Sequence, residues 1–130
     1  MTTHFLYIEP NTSIEEVKLL FEAHLLSALP VCEGNTFIGV LRKEVVEGAA
    51  KEALVADYQY ALERFFVPLT ATWDVVVEAF GRYHTDMLPV INKEEHFIGY
   101  YHLDEFVLQL SQTPFIQEAG HVLILQKDAL

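Results

Sequence analysis

The chain repeats itself, and that repetition limits what it can fold into more than any other feature. Leu29-Pro30-Val31-Cys32 followed by Thr36-Phe37-Ile38-Gly39-Val40-Leu41 returns as Leu88-Pro89-Val90-Ile91 followed by His96-Phe97-Ile98-Gly99-Tyr100-Tyr101. Pro30 maps onto Pro89 and Gly39 onto Gly99, at offsets of 59 and 60, so the second copy carries one extra residue in its turn. Upstream, Ile14, Val17 and Phe21 align with Trp73, Val76 and Phe80 at the first of these offsets. An internal duplication within 130 residues implies two small units that must pack on each other, because neither alone buries an adequate core.

Each copy reads β-α-β-β-α. Phe5 to Ile8 is a short strand pattern closed by the turn Glu9-Pro10-Asn11. Ser13 and Glu16 have capping-box spacing, and Ile14, Val17, Phe21 and Leu25 recur at helical intervals on one buried face, with the helix ending near Leu26-Ser27. Ala28 to Cys32 and Thr36 to Leu41 form a hairpin around Glu33-Gly34-Asn35, with Pro30 at the strand entrance. Gly39 marks a close approach by another backbone or a ligand. Lys43 to Ala50 reads as a helix interrupted at Gly48, and Ala49 to Phe66 as a helix continuing into a connector with Tyr58, Tyr60, Phe65 and Phe66 packed.

The second copy follows the same scheme. Phe66 to Leu69 is a strand, and Thr72 an N-cap with Asp74 in the first turn. Trp73, Val76, Val77 and Phe80 mark the buried helix face. Met87 to Asn92 and Phe97 to Tyr101 make the hairpin around Lys93-Glu94-Glu95, and Leu103 to Ser111 is the closing helix. The fold class is therefore α+β, with units at 1–60, including the connector, and 61–112. Residues 113–130 form an extension whose His121–Gln126 run is an apolar strand pattern, read as an added strand or the start of a further domain.

Composition narrows the function. With 19 acidic residues against 8 basic ones, the formal charge is −11, which argues against a nucleic-acid groove or a site for an anionic membrane surface. No apolar run approaches the roughly 20 residues of a membrane helix. The start of the chain lacks the pattern of a signal peptide, and a single Cys32 in a strand points to a reducing compartment, so a cytoplasmic protein is expected. His84, His96 and His102 have no metal-ligand spacing on one element, and no catalytic constellation is present, so neither a metal site nor an enzyme is expected.

Two β-α-β-β-α units, each with an h-P-V strand followed by F-I-G, resemble a tandem pair of CBS domains, the Bateman module, over about residues 1 to 112. The resemblance implies a pseudo-two-fold intramolecular pair with two clefts, further dimerisation through helices into a homodimer, and adenosine-containing ligands such as AMP, ATP or S-adenosylmethionine. It implies a regulatory module that signals to a protein not identified by the sequence. The family's ligand pattern is G-h-h-T-x-x-D, where the carboxylate accepts the ribose hydroxyls and the hydroxyl and helix start hold phosphate. The first copy reads Gly39-Val40-Leu41-Arg42-Lys43-Glu44-Val45, with Arg42 for the hydroxyl and Val45 for the aspartate. The second reads Gly99-Tyr100-Tyr101-His102-Leu103-Asp104-Glu105, with His102 for the hydroxyl and Glu105 keeping a carboxylate. The resemblance thus implies a ligand in the second cleft, with Glu105 toward ribose, His102 toward phosphate, Gly99 close by and the backbone of Met87 and Leu88 beside the base. Arg42 is a further candidate for phosphate, although on so acidic a surface such a residue is more often a partner of Glu44 or Glu47. The alternative is a degenerate, ligand-free CBS pair acting as an oligomerisation or protein-interaction module.

Overall fold

The computed structural model describes residues 5–111. The first unit contains α1 (Ile14–Ala23), β1 (Ala28–Glu33), β2 (Thr36–Arg42) and α2 (Lys43–Glu47). The second contains β3 (Val67–Pro68), α3 (Trp73–Arg82), β4 (Met87–Ile91), β5 (Phe97–His102) and α4 (Leu103–Ser111). The leading strand of the first unit is reduced to one parallel bridge, Ile8 to Val31, whereas β3 pairs in parallel with β4 through Val67 and Pro68. The apolar segment expected over 121–126 lies outside the described residues.

The two hairpins are built alike. Val31 pairs with Gly39 and Val90 with Gly99, and both ladders shift register at the next step, after Val31 and after Val90. The prolines sit inside the strands and not only at their entrance. Pro30 turns its carbonyl toward Ile8, which donates to it at 3.0 Å, so the proline nitrogen faces the same edge at a level where the parallel strand has not begun. No ladder bond is lost there. Pro89 has the same relation to β3, which starts opposite Val90.

The pairing of the units follows the duplication. Phe37 N–H donates to Glu95 O at 3.1 Å and Phe97 N–H to Asn35 O at 2.8 Å, a reciprocal exchange between equivalent residues at the hairpin tips. At the other end, Ser27 N–H and Oγ–H both donate to Asp86 Oδ1, at 3.2 and 2.9 Å, and these two residues are also repeat equivalents. A pseudo-two-fold axis therefore runs between Thr36 and His96 and between Ser27 and Asp86. One continuous core, including Ile14, Val17, Phe37 and Leu41 from the first unit and Val76, Met87, Leu88 and Phe106 from the second, fills the space between them.

Several sequence expectations are corrected. Helix α1 stops at Ala23, because His24 turns to extended backbone (φ −130°) to carry Leu26 and Ser27 to the axis, and Leu25 is left 92% exposed. Only the Ser13 half of the capping box is formed, Ser13 Oγ accepting from Glu16 N–H at 3.2 Å. Thr72 caps no amide, since its hydroxyl donates to Asp74 instead, and Trp73 and Val77 lie on the outer side of α3. The connector is not an α-helix. After Gly48 it pairs with the 10–13 turn, through Ala56 N–H to Pro10 O and Val55 N–H to Thr12 O, and runs as a 3-10 helix over Val55–Ala61 with Tyr60 exposed. Its Glu63 then lies beside β2, exchanging two backbone hydrogen bonds with Val40, at 2.7 and 3.0 Å. Those external partners draw its backbone out of the α conformation.

Candidate functional site

Each unit's entry segment crosses over the other unit's hairpin. Segment 62–66 lies against β2 and leads into β3, while segment 5–7 lies against β5 and leads into the Ile8 bridge. The ring contacts repeat as well: Phe66 meets Phe37 edge-on at 6.1 Å, and its equivalent Tyr7 meets Phe97 at 6.0 Å. Both strand glycines are therefore sites of close approach. A Cβ on Gly39 would stand 3.0 Å from Leu62 Cβ, and one on Gly99 would overlap the Phe5 ring, 2.6 Å from Cε2. A cavity between the connector and β2, near Ile38, Gln59 and Leu62, has a volume of about 10 Å3, room for about one water.

Four of the five N–H groups of Arg42 are engaged in this frame. Its Nε and Nη2 donate to the Glu63 carboxylate at 2.9 and 3.1 Å, and Nη2 and Nη1 donate to Tyr83 O and His84 O at 2.7 and 2.9 Å. Those carbonyls end α3 of the other unit, where a cation is favoured by the helix dipole. The guanidinium also lies over the Phe65 ring, which stacks on Tyr83 at 4.9 Å. Neither Glu44 nor Glu47 is its hydrogen-bond partner. The Glu63 hydrogen bond moves the Arg42 pKa above its ordinary value, so the group stays charged. It ties the units together, bonding Glu63 of the connector and the end of α3.

The remaining candidates lie on β4, β5 and the first turn of α4. Met87 pairs with His102 and Leu88 with Tyr101 across the β4–β5 ladder. The side chains of Met87 and Leu88 are fully buried, and Thr85 Oγ1 donates to Met87 O at 2.8 Å and accepts from Met87 N–H at 3.2 Å. Their backbone is accordingly a rigid wall. Glu105 is exposed in the first turn of α4 and forms no ion pair among the described residues. Its charge is felt at Tyr100, whose phenol is raised above its ordinary pKa mainly by burial and further by Glu105. Phe5 covers Gly99 and meets the Tyr100 ring edge-on at 5.4 Å.

Cys32 is buried, and desolvation with the nearby Glu9 pushes its thiol up to about 12, which leaves it unreactive. Among the described residues no group of three His, Cys, Asp or Glu side chains could hold a metal ion, and no helix is long and apolar enough to cross a membrane. Sequence reading missed a groove of about 360 Å3 between α1 and α2, where Lys18 and Lys43 face Glu22 and Glu47. None of the candidate ligand residues lines it. It also missed Glu63, Leu62 and Phe5, whose roles depend on contacts across the axis.

The CBS domain family matches residues 1–46. A crystal structure of a CBS domain pair/ACT domain protein from Thermotoga maritima superimposes with a TM-score of 0.75 and 21% identity, over 85% of this chain and 92% of that one. Residues 1–46 thus match a CBS domain, and the chain has the fold of a CBS pair. The pair is also similar to the structure of CBSX2 in complex with AMP, with a TM-score of 0.66 and 17% identity over 84% of this chain and 89% of that one. Inosine-5'-monophosphate dehydrogenase of Korarchaeum cryptofilum is 26% identical over 92 residues, which is 71% of this chain. The chain spans only 19% of that relative's length.

Proposed function

We propose that this CBS pair is a non-catalytic, cytoplasmic regulatory module that senses an adenosine-containing nucleotide in its second cleft and in no other. The observation that carries the reading is the contrast between Glu105 and Arg42. Glu105 is an exposed carboxylate without an ion-pair partner among the described residues, placed to accept ribose hydroxyls, while the equivalent corner of the first cleft holds Val45 and an Arg42 already bound to Glu63. Binding of AMP by a structurally similar protein supports the ligand class. His102 would face the phosphate, and the backbone of Met87 and Leu88 the base. On this reading the pair comprises residues 1–60 and 61–112, with 113–130 outside it.

The module signals through a homodimer formed by α3 and α4, whose Val75, Val77, Val107 and Leu108 are 43–58% exposed. A monomer by sedimentation at micromolar concentration would remove that part. Nucleotide sensing is tested by thermal unfolding with millimolar AMP, ATP or S-adenosylmethionine. A ligand at a hundred times its dissociation constant stabilises by about 2.7 kcal/mol, on the order of 10 °C for a chain of this size. A shift lost in Glu105→Ala supports the sensor. No shift with any of the three favours the second reading, a ligand-free interaction module, for which the covering of Gly39 and Gly99 by Leu62 and Phe5 speaks.

A further inference from the structure

We infer that two copies of this chain join like unit to like unit, with α3 and α4 of one seated on α3 and α4 of its partner and Gly81 at the point where the helices come closest. The inference rests on the homodimer proposed above and adds which faces meet. It comes from comparing the outer helix faces of the two units position by position.

In the first unit the groove between α1 and α2 is lined by the buried Phe21 and Val46 and by the four charged residues Lys18, Glu22, Lys43 and Glu47. The helices start in register with the repeat, α1 at Ile14 against α3 at Trp73 and α2 at Lys43 against α4 at Leu103. Lys43 and Leu103 donate their N–H groups to the equivalent carbonyls of Ser27 and Asp86, at 2.8 Å each. The corresponding residues of the second unit are therefore Phe80 and Phe106, whose rings meet at 5.7 Å, and Val77, Gly81, Leu103 and Val107. Every charged position of the first face is uncharged in the second. Val77 and Val107 are 43% and 53% exposed, and α4 continues for about one turn beyond the end of α2, adding Leu108 where the first unit has Gly48.

Gly81 has no use within its own chain. It is an exposed residue inside α3, where glycine is a poor helix former, and a Cβ there would meet nothing within 4 Å. The left-handed residue that follows the helix is His84, so the backbone does not need glycine at 81 either. What it provides is a gap in the side chains one turn from Val77, where a second helix can approach closely.

Charge selects the face that meets it. Each copy carries a formal charge of −11, so two copies repel and are best joined where the surface is uncharged. Seating this apolar face on α1 and α2 of a second copy would bury Lys18, Glu22, Lys43 and Glu47 against residues that offer them no partner. Like on like buries the same valines and leucine from both copies, as a two-fold interface requires.

The test uses the full 130-residue chain. In Val77→Lys/Gly81→Glu the second unit receives the residues of the first, and sedimentation equilibrium should show the dimer dissociation constant raised about a hundredfold or more. Far-UV circular dichroism should stay as in wild type, because both new residues form helix better than those they replace. Orientation is read with a short bismaleimide, to which the buried Cys32 is silent. Val107→Cys alone should give covalent dimers, and a mixture of Val107→Cys with Glu47→Cys should give no mixed product. A wild-type dimer that tolerates Val77→Lys/Gly81→Glu, or in which Val107→Cys cross-links only to Glu47→Cys, overturns the like-to-like pairing and leaves a homodimer standing. A wild-type chain that is monomeric at micromolar concentration overturns the homodimer and the pairing with it.

Discussion

The two units share one plan and differ in what closes them. In the first, the corner after the strand glycine is filled by Arg42, and the chain supplies the counter-ion, Glu63, together with the apolar plug, Leu62. In the second, the same corner carries His102 and Glu105, and the plug is Phe5, held by ring edges. The repeated plan thus gives two equivalent corners, and their side chains make the first a joint and leave the second as the proposed site. Symmetry of the backbone says where a ligand fits, and the charge balance of each corner says whether there is room for it.

The largest expected asymmetry is at the F-I-G phenylalanines. Phe37 is 1% exposed and sealed by Phe66 and Arg64, so Phe37→Ala should lose about 3–5 kcal/mol in urea unfolding. Phe97 is only half-buried, met by Phe5 and Tyr7, and Phe97→Ala should cost less than half as much. Equal losses would break the comparison. Next comes the corner itself. Arg42→Ala leaves the Tyr83 and His84 carbonyls and Glu63 without their donor, a loss of about 2–3 kcal/mol. This is below the cost of breaking a fully buried pair, because the Glu63 side chain is 50% exposed. His102→Ala should cost about 1 kcal/mol or less.

The smallest effect concerns Cys32, whose repeat equivalent is Ile91. The folded thiol is raised to about 12 from 9.0, so the unfolded chain gives up its proton first. The contribution is complete below pH 9 and is lost as pH rises from there toward 12. Wild type should therefore lose about 1 kcal/mol relative to Cys32→Ala between pH 8 and pH 10, measured by denaturant unfolding at each pH. A constant difference between the two chains would contradict the burial of the thiol.

The hairpins and their pairing were legible because their signals are local. Proline, glycine and a phenylalanine at matched spacing mark the strands, and their recurrence marks two units, whose two-fold relation the family resemblance implies. Leu103–Ser111 was equally plain from its apolar pattern and acidic first turn. The connector was not, because its conformation is set by Val40 and the 10–13 turn, partners distant in the chain, and its Ala- and Leu-rich composition favours a helix that these contacts override. Leu25 misled for a related reason: the helical period runs on past Ala23, but the backbone must leave the helix to bring Ser27 to Asp86. At the site, the loss of the hydroxyl and aspartate in the first copy could be read directly. That Glu63, 21 residues from Arg42, takes the anion's place could not, because an acidic residue in a connector carries no local mark.

The most direct test of the central claim is the stoichiometry of AMP binding by isothermal titration calorimetry, on the wild-type chain and on Glu105→Ala. One site per chain, abolished by Glu105→Ala, is the predicted result. Two sites per chain, a single site indifferent to Glu105→Ala, or no heat of binding would contradict a pair with one usable cleft.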